Sequence, residues 1–108
     1  MSQKARNIIF NTDNKIYLSI VSAWEVAIKV SIDKLDFEGG SGAFLAAIEA
    51  NSIDLFGING EYIKVVEKLP FIHRDPFDRT IIASALTDGF TIITDDDNIK
   101  KYGVLWTW

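Results

Sequence analysis

Three short stretches hold the residues best suited to chemistry. Ser22-Ala23-Trp24-Glu25, Asp75-Pro76-Phe77-Asp78 and Thr94-Asp95-Asp96-Asp97 each put a carboxylate where a strand or loop feeds a helix. Carboxylates that converge repel one another unless a hard cation neutralises them. Mg²⁺ or Mn²⁺ takes oxygen ligands and keeps open water positions. Either ion can make hydroxide from bound water and neutralise a phosphodiester. Each stretch also has a plain capping reading. Ser22 and Glu25 fit a capping box. Asp75 before Pro76, with Asp78 in the first turn, fits a helix start favoured by the macrodipole. Asp95, Asp96 and Asp97 fit the cap of a short helix behind them.

Other residues narrow the chemistry. The chain has no cysteine, which excludes disulfides, thiolate zinc sites, iron–sulfur clusters and thiol nucleophiles. His73 is the only histidine, so no histidine pair can bind metal, and a structural role or an RNA contact is expected of it. Ser22 and Ser84 lack a His–Asp arrangement for serine hydrolysis. Gly39-Gly40-Ser41-Gly42 lacks the Lys and Ser/Thr of a phosphate-binding loop. Arg74 and Arg79, beside the acids, suit phosphate contacts or ion pairs with Asp75 and Asp78. Lys29, four residues after Glu25, suits an ordinary helix pair.

The elements that position these residues alternate. Helical spacing predicts helices over residues 2–11, 22–34, 43–50, 59–69, 76–87 and 97–102. Apolar runs predict strands over 15–20, 53–58, 90–94 and 104–108. Trp24, Phe71 and Phe77 are expected in the core, whereas the sequence leaves Trp106 and Trp108 undecided. Strands separated by helices imply a parallel α/β sheet with right-handed crossovers and helices on both faces. Sites in such sheets lie outside the carboxyl ends of the strands. A chain of 108 residues that is 48% apolar and 24% charged suits one folded domain over 1–108. Eleven Lys and Arg against fifteen Asp and Glu argue against a general nucleic-acid clamp but permit a local one. No apolar run reaches membrane-spanning length and the first six residues lack a signal-peptide core, so a soluble cytoplasmic protein is expected.

The spacing of the three acidic stretches resembles that of the PIN-domain nucleases, and most closely the VapC-type toxins of type II toxin–antitoxin pairs. The resemblance rests on Ser22 to Lys29, on His73-Arg74-Asp75-Pro76-Phe77-Asp78-Arg79-Thr80-Ile81-Ile82-Ala83, on Thr94-Asp95-Asp96, and on the ending from Tyr102 to Trp106. It implies a three-layer PIN-like parallel sheet flanked by helices. It further implies a Mg²⁺- or Mn²⁺-dependent endoribonuclease silenced by a cognate antitoxin. Carried over residue by residue, Glu25, Asp78 and Asp96 are its catalytic and metal-binding acids. Asp75, from the loop motif, is a further metal ligand candidate.

Resembling chains begin with an Asp-bearing central strand, followed by a helix. Here Met1 stands where that helix is already under way, so the expected fold lacks its first strand and one metal-binding acid. Unpaired neighbouring edges would then favour a homodimer. The rival reading is an inactive truncated PIN domain that keeps antitoxin binding or self-association. A phospho-acceptor domain fits less well, because neither the acidic pair it wants after the first strand nor the Lys it wants before the last is in place.

Overall fold

The computed structural model describes residues 1–108 as two compact units, one comprising 15–57 and the other 1–14 together with 58–108. The 15–57 unit begins with strand β1 (Tyr17–Ser19), which passes without a loop into helix α2 (Ile20–Ser31). Ser19 is extended and its hydroxyl accepts from the Val21 amide at 3.3 Å, so it caps the helix. The capping box expected of Ser22 and Glu25 therefore does not form: the helix starts too early, and both residues lie within it. Helix α3 (Gly40–Ala50) follows, entered through Gly39 at φ 83°. A Cβ on Gly39 would stand 2.7 Å from the Ala43 Cβ, so this turn needs glycine twice over. Strand β2 (Asp54–Phe56) pairs parallel with β1, Leu18 opposite Leu55. The pair is braced by Tyr17 against Phe56, edge to face at 6.4 Å, and by Lys15 against Asp54 at 3.3 Å.

The other unit contains α1 (Gln3–Phe10), α4 (Gly60–Lys68), α5 (Pro76–Asp88), β3 (Thr91–Ile93), α6 (Asp97–Lys100) and β4 (Leu105–Thr107). Its helix starts follow the local rules. Ser2, Asn59, Asp75 and Asp96 are extended residues whose side chains accept from the first-turn amides of the helices they precede. Gly89 at φ 74° closes α5. Helix α4 packs on α5, and Tyr62 donates its hydroxyl proton to Asp88 across the two. Strands β3 and β4 pair parallel, Ile92 opposite Trp106. The core of this unit comprises Ala5, Tyr62, Leu69, Ile82, Ala83, Ala85, Ile99, Tyr102 and Val104. Full burial of a side chain the size of Ile82 contributes about 1.5–3 kcal/mol.

The strands form two separate two-stranded sheets, each pair joined through helices. Their parallel sense is the one that the alternation of elements predicts, while the single sheet expected from it is not what they form. Two aromatic expectations are corrected. Trp24 is 55% exposed and Phe71 79% exposed, so neither is a core residue. Helix α2 buries Val21 and Ala23 instead, leaving Trp24, Ile28 and Ile32 on an exposed stripe. Phe77 is half-buried, as is Trp108, while Trp106 is exposed. No helix is long and apolar enough to cross a membrane.

Candidate metal centre

Asp96 stands where β3 gives way to α6. The Thr94 hydroxyl accepts the Asp96 amide at 3.0 Å and turns the chain there. Asp96 Oδ1 then accepts the amides of Asn98 at 2.8 Å and Ile99 at 3.2 Å. Its other oxygen, Oδ2, is left to face His73 Nε2 at 3.1 Å. Asp78 enters from the first turn of α5, and its Oδ2 lies 3.1 Å from the same nitrogen. Ligand atoms of His73, Asp78 and Asp96 all fall within 4.8 Å of one another.

The ionised form of Asp96 is favoured. Burial alone would raise its pKa, but the Ile99 amide, His73 and the Asn98 amide outweigh that and hold it below the usual carboxylate value. An ionised carboxylate at this position is what a cation requires. Two donors of one ion, with bonds of about 2.1 Å, lie roughly 3–4 Å apart. The oxygens of Asp78 and Asp96 need only a small side-chain movement to meet that spacing. Mg²⁺ commonly binds through one or two carboxylates and keeps its remaining positions as water. The pair therefore fits such an ion.

The loop between α4 and α5 is held by side chains from elsewhere in the unit. The Tyr102 hydroxyl donates to the Pro70 carbonyl at 2.6 Å and accepts the His73 amide at 2.7 Å. Arg79 reaches back from α5: Nη1 donates to the carbonyls of Pro70 and His73, at 2.9 and 3.2 Å. Its Nη2 donates to the carbonyls of Val66 and Leu69, at 3.1 and 3.2 Å. The guanidinium also lies 4.3 Å from the Phe71 ring centre. The Val66 and Leu69 carbonyls lie at the end of α4, where a cation is favoured. At 5% exposure Arg79 is a buried clamp, which corrects the phosphate contact expected of it. Arg74, by contrast, is exposed.

The remaining sequence candidates have separate placements. Asp75 Oδ1 caps α5 through the amides of Phe77 at 2.8 Å and Asp78 at 3.3 Å. Glu25 belongs to α2 in the other unit, with its carboxylate 3.3 Å from Lys29, the helix pair expected of them. The Ser84 hydroxyl donates to the Ile81 carbonyl at 2.7 Å. His73 is the member of the cluster that sequence reasoning passed over. Its signal was present: the single histidine stands in the loop leading into an acid-bearing helix.

Comparison with curated proteins and with solved structures finds no match. A family comparison does: the PIN domain matches residues 2–105, nearly the whole length. Acids brought together at the starts of α5 and α6 are consistent with the nuclease fold of that family. On the extent of this match, the chain belongs to the PIN domain family.

Proposed function

We propose that this protein is a metal-dependent endoribonuclease of the VapC toxin type, hydrolysing RNA phosphodiesters. The observation that carries this reading is the convergence of Asp78 and Asp96 on one point, with Asp96 held ionised. Asp78 and Asp96 would hold Mg²⁺ or Mn²⁺. The bound ion would supply a water of lowered pKa and offset charge on the phosphodiester in the transition state. Glu25 enters as the third acid on the sequence resemblance alone, and Asp75 enters as a further ligand on the same ground. Exposed Arg74, next in sequence to His73, would contact the RNA backbone.

The test is cleavage of messenger and structured RNA with Mn²⁺ or Mg²⁺, against the same reaction with chelator. Cleavage should need the ion and fall about a hundredfold or more in Asp96→Asn, on the scale of losing one transition-state contact. Asn keeps the capping oxygen, so folding should survive the change. Glu25→Gln should also cut the rate. It should leave the melting temperature nearly unchanged, because the Glu25–Lys29 pair contributes only about 0.3–0.5 kcal/mol. Cleavage insensitive to chelator, or retained in Asp96→Asn, would refute the proposal.

As partners we propose a cognate antitoxin and a second copy of the chain. The supporting observation is the exposed apolar stripe of Trp24 and Ile28 on α2 and Ile32 at its C-cap, three side chains at four-residue spacing.

A further inference from the structure

His73 lies against both candidate ligands, yet its ring is not set up to be one. The side chain is 14% exposed. Its Nδ1 lies 3.2 Å from the Asp75 amide, a group that can only donate. Nδ1 is therefore an acceptor, and the proton of the neutral imidazole sits on Nε2. That N–H faces Oδ2 of Asp78 and Oδ2 of Asp96, each at 3.1 Å. To ligate a metal through Nε2, the ring would have to move its proton to Nδ1, against the Asp75 amide.

We propose that His73 is a positioning residue that draws the Oδ2 atoms of Asp78 and Asp96 onto one point through a shared Nε2–H. The Asp75 main chain keeps the proton on that nitrogen. The proposal rests on the reading of Asp78 and Asp96 as metal ligands. Two carboxylates this close repel, and the N–H dipole between them offsets part of that repulsion. A carboxylate oxygen has two lone pairs, so each Oδ2 can accept the N–H and still face a cation. The ring is in turn located by the His73 amide on Tyr102 and the His73 carbonyl on Arg79. Groups that orient metal ligands in this way typically change metal affinity about 10–100-fold when removed.

A single histidine makes the test clean. Long-range proton–nitrogen correlation spectra of the wild-type protein, without metal and with Mg²⁺, should both show a neutral ring protonated on Nε2. A ring protonated on Nδ1, or one whose Nε2 loses its proton when Mg²⁺ is added, would overturn the proposal in favour of direct ligation. Calorimetric titration with Mn²⁺ gives the second readout. His73→Ala should weaken binding about 10–100-fold, and His73→Gln, which keeps an N–H donor at the Nε2 position, should recover most of the loss. Equal Mn²⁺ affinity in wild type and both variants would overturn the positioning role alone. Absence of Mn²⁺ binding by wild type would overturn the metal reading and the proposal with it.

Discussion

The two oxygens of Asp96 face different groups, Oδ1 the amides that begin α6 and Oδ2 the His73 ring. One carboxylate thus both starts a helix and joins the acidic centre, so the capping and functional readings of this residue are compatible. These contacts also set how stability responds to acid. Burial works against the charge, but the Ile99 amide, His73 and the Asn98 amide prevail, and the folded pKa is depressed. The resulting stabilisation is present above the unfolded value of about 3.9 and is lost as pH falls through the lower folded value. Asp96→Asn keeps an oxygen for the cap and gives up the titration. Its unfolding free energy should therefore fall less steeply below about pH 4 than that of wild type. Denaturant melts of both proteins across that range, read by circular dichroism, would reject the idea if the two curves ran parallel.

Arg79 acts between elements. At the end of α4 the guanidinium of a residue in α5 donates to the Leu69 carbonyl and to the Val66 carbonyl, which the Leu69 amide also meets. The same group holds the Pro70 and His73 carbonyls, so the end of one helix and the loop bearing the histidine share one clamp. A planar fork with several fixed donors can do this, whereas the single ammonium of Lys cannot reach four carbonyls at once. Arg79→Lys should leave buried acceptors unmet, at about 1–3 kcal/mol for each one stranded. We expect urea unfolding to show a loss of about 2 kcal/mol or more. A loss within about 0.5 kcal/mol, the scale of a neutral surface change, would mean that the clamp is dispensable. Tyr62 and Asp88 make a second α4–α5 tie. Hydrogen bonding to Asp88 is the main cause of the raised Tyr62 pKa, with burial and the Asp88 charge adding to it.

At the scale of the whole molecule, strand pairing is sparse: two parallel pairs of three-residue strands, one pair per unit. Parallel strands are ordinarily covered on both faces, and a lone two-stranded pair is marginal in water. Helix packing and side-chain clamps therefore carry much of the stability. The apolar stripe on α2 and its C-cap leaves Trp24, Ile28 and Ile32 in contact with solvent, a cost that association would relieve. Light scattering should show a dimer at micromolar concentration, and Trp24→Glu should shift it towards monomer. A stable monomer throughout the micromolar range would remove the proposed second copy.

The local features of this protein are legible in its sequence because their causes lie within a few residues. Asn59, Asp75 and Asp96 cap helices that begin immediately after them, Gly89 ends one, and apolar spacing locates the helices and strands to within a few residues. The three acidic stretches resemble those of PIN-domain nucleases in residues and order, and the PIN domain is the family that matches residues 2–105. Ser19 shows where local reading fails: Ser22 has the better capping-box pattern, but β1 runs straight into α2 and the earlier serine takes the cap. Tertiary structure alone decided the rest. Arg79 is buried because carbonyls six to thirteen residues away need its donors, and Phe71 is exposed beside it. His73 meets Asp96 across 23 residues of sequence because Tyr102, 29 residues distant, holds its backbone. Spacing along the chain carries no record of such contacts, since the free energy that selects them arises only when separate elements pack.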